Sequence, residues 1–180
     1  VPRVCDYGKN NKVCVKFNGI YDIVCVGGGG AAAMLGRYDD KGYGRGGGSG
    51  SAFVGRVSLP EGTYTITVGS ANNNAIPQTS NTQKSNPTDT TTHDSSISNV
   101  VVCGGGGSAS IDPNWNGAAG AAPVIDDSII VSTTLNSAGN DGSYNTGGKG
   151  SAAAAVCAGG ASVYNDYGRG QGCRTSEYAS

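Results

Sequence analysis

Tyr21-Asp22-Ile23-Val24-Cys25-Val26-Gly27-Gly28-Gly29-Gly30 decides how this chain is to be read. A short β-branched run reaches a cysteine and passes almost directly into four glycines. The pattern returns twice. Val101-Val102-Cys103 opens Gly104-Gly105-Gly106-Gly107, and Ala155-Val156-Cys157-Ala158 opens Gly159-Gly160. The intervals between the three cysteines are unequal, which excludes a solenoid of fixed period. The repeat reads instead as three like-built units side by side, with their cysteines at one level.

Glycine loses more backbone entropy on folding than any other residue, so these runs, with Gly46–Gly48 and Gly147-Gly148, need a purpose. Three readings compete. A dinucleotide fold is suggested by Gly27-x-Gly29-x-x-Ala32 after a strand. Its helix would be stopped by Gly42, Gly44 and Gly46, no second parallel strand ending on an acid follows, and the other two runs lead to nothing similar. A flexible linker accounts for glycine and serine, but not for β-branched residues directly before the runs and alanine beside them. The third reading is close-packed extended chain of the polyglycine-II kind. Such chain makes no internal hydrogen bonds, so its buried amides must pair with neighbours. Only glycine lets chains approach that closely on several sides. We therefore expect a mainly β fold with glycine-rich extended segments, a single compact β/polyglycine sandwich with little or no α-helix.

The composition agrees. Glycine supplies 32 of 180 residues, and there are two Phe, one Met and one Trp. Charged residues make up 14%, with a formal net charge of −1. A nucleic-acid partner calls for a basic excess that is missing. Disorder driven by charge calls for a high net charge. A helical bundle calls for strong helix formers where glycine interrupts nearly every window. No apolar run reaches the ~18 residues of a membrane-spanning helix.

Along the chain, Val13–Phe17 and Ile20–Val26 flank Asn18-Gly19 and predict a β-hairpin with both turn residues at positive φ. Ala52–Leu59 and Thr63–Gly69 flank Pro60-Glu61-Gly62 and predict a second one. Tyr64, Ile66 and Val68 alternate with Thr63, Thr65 and Thr67, the mark of a half-buried strand. Ser96–Cys103 predicts one strand, Asp127–Leu135 another, and Ala152–Val156 extended chain. Residues 70–98 are polar and read by composition as a linker; we expect an ordered excursion. The resulting organisation is an N-terminal cysteine-containing strand segment over 1–19, a glycine-rich β/polyglycine domain over 20–173 with the insert 70–98, and a tail over 174–180.

Six cysteines, Cys5, Cys14, Cys25, Cys103, Cys157 and Cys173, lack CxxC spacing, and there is a single histidine, so neither a metal site nor a cofactor is expected. With a small core, disulfides are a natural compensation, which points to an oxidising, extracellular setting. Fifteen pairings are open; Cys25 with Cys103 is the first to suspect from their matching places in the repeat. His93, inside the polar insert, reads as solvated surface rather than a catalytic base. Asp39-Asp40 and Asp126-Asp127 read as loop surface, because neighbours on extended chain face opposite ways. Enzyme activity is therefore not expected. Tyr38, Tyr43, Trp115, Tyr144, Tyr164 and Tyr167 sit beside glycine- or asparagine-rich turns. They are either lids on a glycine bundle or a contact surface of low entropy cost. No Asn-x-Ser/Thr sequon occurs.

Taken in order, Tyr21–Gly30, Gly46–Gly50 with Ser51–Gly69, Ser96–Gly107, Gly147–Gly150 and Tyr164–Gly172 resemble the glycine-rich domain of phage tail fibres and tail-associated adhesins. They are also similar to the glycine-rich domain of certain receptor tyrosine kinase ectodomains. Gly62-Thr63-Tyr64-Thr65-Ile66-Thr67-Val68-Gly69 is the most specific part. The resemblance implies an extracellular domain that binds or assembles rather than catalyses. Two functions are expected. One is a structural module that self-assembles into a filament or fibre, its partners copies of itself, with the N-terminal stretch completing a neighbour's sheet. The other is an adhesin tip that recognises a cell-surface glycan or protein.

Overall fold

A computed structural model of the chain describes residues 11–38, 41–70, 84–85, 92–110 and 116–142. Their strands are β1 (Lys12–Val15), β2 (Gly19–Val26), β3 (Ala33–Tyr38), β4 (Lys41–Arg45), β5 (Ala52–Leu59), β6 (Gly62–Thr67), β7 (Lys84–Ser85), β8 (Ser95–Ile97), β9 (Val101–Cys103), β10 (Val124–Ile125) and β11 (Ile130–Ser137). Every pairing is antiparallel. One sheet has the order β1-β6-β8-β9-β10, a second β11-β5-β2 and a third β4-β3-β7. The only helical element among the described residues is a 3-10 turn, Asp127–Ile129, entered through Asp126, whose Oδ1 accepts from Ser128 N. The expected class, mainly β with little helix, is what the chain adopts.

The first two sheets hold the apolar core between them. Val15, Val100, Val101 and Cys103 come from the five-stranded side, and Ile23, Cys25, Phe53, Val57 and Leu59 from the other. Strand alternation explains the choice. In β5, Phe53, Val57 and Leu59 point inward while Arg56 and Ser58 face solvent. In β6 the expected alternation holds: Tyr64 and Ile66 are half-buried, the threonines exposed. Val68, beyond the strand, is exposed.

Neither expected hairpin forms. β1 pairs with β6, and β2 with β5, so the Asn18-Gly19 turn and the Pro60-Glu61-Gly62 turn each carry the chain from one sheet to the other. They are arches, not hairpins. A hairpin would leave each pair with one face to bury and nothing opposite it; crossing over closes the sandwich. Neither Asn18 nor Gly19 takes the positive φ that a tight hairpin turn requires. The two arches share one construction, Gly-x-Tyr. The Tyr21 hydroxyl donates to Phe17 O at 2.8 Å, and the Tyr64 hydroxyl to Pro60 O at 2.9 Å. The arches are also tied to each other, since Glu61 N donates to Asn18 Oδ1 at 2.7 Å.

Two further expectations are corrected. Ser96–Cys103 is not one strand but the hairpin β8–β9, because Asn99 turns the chain at φ 61, a left-handed conformation that Asn tolerates better than most residues. Asp127–Leu135 begins with the 3-10 turn and becomes strand only at Ile130. β1, from the expected N-terminal segment, is an integral member of the five-stranded sheet. Ala152–Val156, the third repeat and most of the polar insert lie outside the described residues.

Two outcomes follow for stability. Phe53 is fully buried, so Phe53→Ala should lower unfolding stability in urea by about 3–5 kcal/mol, whereas Val68→Ala, 77% exposed, should stay within about 0.5 kcal/mol. Tyr21→Phe and Tyr64→Phe should each cost about 0.5–1.5 kcal/mol in the same melts, the worth of one hydrogen bond.

Candidate functional site

Beyond the ends of β2, β5 and β9 the chain stops making strands and forms a bundle of extended segments, 27–33, 46–51, 104–110, 117–121 and 138–142. Their hydrogen bonds reveal the geometry. Gly27 N donates to Ser51 O and Gly30 N to Gly48 O; Gly48 N donates to Gly107 O and Ser51 N to Gly104 O. Gly106 N donates to Gly28 O and Ala109 N to Ala31 O. Gly117 N donates to Gly46 O and Gly120 N to Ser49 O; Gly139 N donates to Gly120 O and Gly142 N to Gly117 O. In every case the same two segments meet again after three residues. A β-strand returns to the same side every second residue; a three-fold extended helix returns every third. Segment 46–51 bonds to all four others, the fourth through Ser49 N to Asn140 O. A strand in a sheet has at most two such neighbours. This is polyglycine-II packing, in which each chain sends amides outward in three directions.

The glycines are required by distance rather than by dihedral angle. None of the described glycines with close neighbours has a positive φ. A Cβ on Gly27 would overlap Gly104 O, one on Gly30 would overlap Gly107 O, and one on Gly106 would overlap Gly48 O. Gly47, Gly48, Gly50, Gly117 and Gly139 meet backbone in the same way. Gly28 meets Ser70 O, Gly104 meets Ala121, and Gly105 meets the main chain of His93. Gly107 is less tight, its Cβ position lying 3.2 Å from Ala118 N. Gly29 is buried with its neighbours. Gly159 and Gly160 lie outside the described residues.

Side chains accept from four further amides of the bundle. Gly105 N donates to Asp94 Oδ1 at 2.8 Å and Ala119 N to Asp141 Oδ1 at 2.7 Å. Ala31 N donates to Ser108 Oγ at 3.1 Å and Asn140 N to Ser49 Oγ at 2.7 Å. Composition alone did not single out these four residues; Ser49 and Ser108 adjoin glycine runs, and Asp94 and Asp141 carried no signal. His93, expected to be solvated, is half-buried, and its carbonyl accepts from Gly28 N at 3.0 Å. Among the described residues no three His, Cys, Asp or Glu side chains gather.

A second feature lies along β1 and β2. β1 and β2 are the edge strands of their sheets among the described residues. Between them runs an apolar slot of about 260 Å³, walled by Val13, Val15, Ile23, Leu59, Tyr64 and Ile66. Cys14 also lines it, half-buried. On the outer face of β2, Ile20 and Val24 are exposed on either side of an ion pair, Arg56 Nε to Asp22 Oδ1 at 2.8 Å. Exposed on both sides, that pair contributes little to stability.

The cysteines divide into two groups. Cys14, Cys25 and Cys103 are free thiols in this structure; Cys5, Cys157 and Cys173 lie outside the described residues. Cys25 and Cys103 meet in the core, as the repeat led us to expect of their level. Of the aromatics, Tyr38 closes β3 and Tyr43 lies on β4, opposite Leu35. Trp115, Tyr144, Tyr164 and Tyr167 lie outside the described residues.

If close approach is the reason for glycine, alanine is enough to break the bundle. Gly106→Ala and Gly48→Ala should each give protein that fails to fold or loses several kcal/mol, more than the ~1–3 kcal/mol of ordinary overpacking, since the clash is with main chain. Gly19→Ala and Gly62→Ala, whose nearest neighbours would be tyrosine rings at 3.6 and 3.7 Å, should stay within about 1 kcal/mol of the parent. Soluble yield and urea melts distinguish the two sets.

No curated protein and no solved structure matches the chain. A family model described as a glycine-rich domain matches residues 13–179. The match takes in both arches, the core strands and every segment of the bundle, and on it the chain belongs to that glycine-rich domain family.

Proposed function

We propose that the chain is an extracellular, non-enzymatic structural module whose copies assemble into a filament or fibre. The observation that carries this reading is β2, an eight-residue strand at the edge of its sheet among the described residues. An edge strand presents a row of unpaired amides and carbonyls to another chain. Edges are usually guarded by lysine, proline or bulges. β2 has none of these; its one charge, Asp22, is occupied by Arg56, and Ile20 and Val24 are exposed beside it. The neighbouring slot accepts the apolar side of an added strand. A formal net charge of −1 sets up little repulsion between copies.

In this account the N-terminal stretch, with Val1, Val4 and Cys5, adds to a neighbouring copy by strand addition. Such a contact is head-to-tail, and repeated without closure it generates an open helical array. The glycine bundle supplies a stiff body, filled by main chain, that holds the donor and acceptor sides in fixed relation.

A second reading is an adhesin tip of the phage tail-fibre type, binding a cell-surface glycan or protein. The β3–β4 hairpin favours it, because it carries Tyr38 and Tyr43 and its end pair, Ala33 with Arg45, adjoins the bundle segments.

Sedimentation velocity and negative-stain imaging over a range of concentrations test the first reading. The native chain should form extended particles. Val24→Lys with Ile20→Lys should leave folded monomer, as should removal of residues 1–10. The deletion stops there because Asn11 O accepts from Ile66 N at 2.6 Å within the fold. Unchanged assembly in both variants contradicts strand addition at β2, and dispersed particles from the native chain favour the adhesin reading.

A further inference from the structure

Two thiols are buried in the core from opposite sheets. Cys25 is the penultimate residue of β2 and Cys103 the last of β9. Both point inward, Cys103 fully and Cys25 almost fully buried. Cys103 Sγ donates to Cys25 O at 3.3 Å, and Cys25 Sγ donates to Ser95 O at 3.4 Å. Ser95 is the residue paired with Cys103 across the β8–β9 ladder, so the two sulfurs share one pocket. Each cysteine sits where its chain leaves the sandwich: Cys25 ahead of Gly27–Gly30, Cys103 ahead of Gly104–Gly107. Those segments then run parallel and bond to each other through Gly106 N to Gly28 O. The level of the two cysteines is therefore fixed from the glycine side as well as from the core side.

We infer that Cys25 and Cys103 form an inter-sheet disulfide that fastens the sandwich at the mouth of the glycine bundle, with a low-molecular-weight or protein disulfide as oxidant. The inference is independent of the assembly reading. Cys14 is not a competitor: it lies in the slot at the far end of β1, and its sulfur accepts from Thr63 Oγ1 at 3.9 Å.

The chemistry balances as thiol–disulfide exchange. A thiolate of the pair attacks one sulfur of the oxidant; the oxidant's S–S bond breaks and its first thiolate leaves. The second thiolate of the pair attacks the mixed disulfide, the Cys25–Cys103 bond forms, and the second oxidant thiolate leaves. Two protein thiols are oxidised and one disulfide is reduced to two thiols. The Cys103 side chain beside it holds the Cys25 thiol below its ordinary range, and the same contact, with burial, pushes Cys103 up.

Because both sulfurs are buried, oxidation belongs to folding. The test is to refold the full chain in a glutathione buffer containing the oxidised form, quench with acid, alkylate under denaturing conditions and identify peptides by mass spectrometry. The expected product links the Cys25 and Cys103 peptides. Its urea midpoint lies above that of the reduced chain and returns to it with reductant. Cys25→Ala and Cys103→Ala should each abolish the shift. Full alkylation of both cysteines after refolding, or linkage of either to a different cysteine, overturns the inference. Should the alanine variants fail to fold, the peptide linkage in the native chain decides by itself.

Discussion

Main chain packed against main chain is the constraint on which the rest of this structure depends. In the bundle, segment 46–51 touches four neighbours and bonds to all of them. At that separation a single methyl group has no room, as the overlaps at Gly27, Gly30, Gly48 and Gly106 make plain. The protein therefore gives up side-chain burial over much of its volume and stabilises the chain there by amide–carbonyl bonds and dispersion between backbones. Every buried amide must find a partner under those conditions. The three-fold period provides this by distributing donors around each segment. Asp94, Asp141, Ser49 and Ser108 add side-chain acceptors for the amides of Gly105, Ala119, Asn140 and Ala31.

The sandwich and the bundle depend on each other. β2, β5 and β9 deliver their chains to the bundle at fixed spacing, because Val26 pairs with Ala52 at the end of one ladder and Cys103 with Ser95 at the end of another. The bundle in turn sets the depth of the core. Phe53, Cys25 and Cys103 form its floor, one or two residues before the first backbone-only layer. The tyrosine-braced arches close the opposite end. Between them, among the described residues, β1 and β2 are edge strands, with an apolar slot beside them.

Much of this was legible in the sequence. Cysteine followed by a glycine run marked the passage from strand to bundle, and the repeat placed Cys25 and Cys103 at one level. The turn residues Asn18-Gly19 and Pro60-Glu61-Gly62 marked off β2 and β5, and the alternation of Tyr64 and Ile66 with threonines located β6. The partners of those strands were not legible. Asn18-Gly19 carries the local signature of a hairpin, but whether a turn doubles back or crosses over is decided by what lies opposite, and here each pair needed a facing sheet. The Gly-x-Tyr element common to both arches was the overlooked sign. Asn99 was overlooked for another reason: β-branched residues on either side hid one turn residue within an apparently continuous strand. Asp94 and Asp141 had no signal of their own, because their role depends on which amides the packing leaves to side chains.

Amide hydrogen exchange, resolved residue by residue by NMR, bears most directly on the polyglycine-II account. The amides of Gly48 and Ser51, at the centre of the bundle, should exchange as slowly as those of Phe53 and Val57 in the core strand β5. Gly27, Gly30, Gly106 and Gly120 should be protected in the same range. Exchange of these glycine amides at the rate of a flexible linker, with β5 still protected, would contradict it.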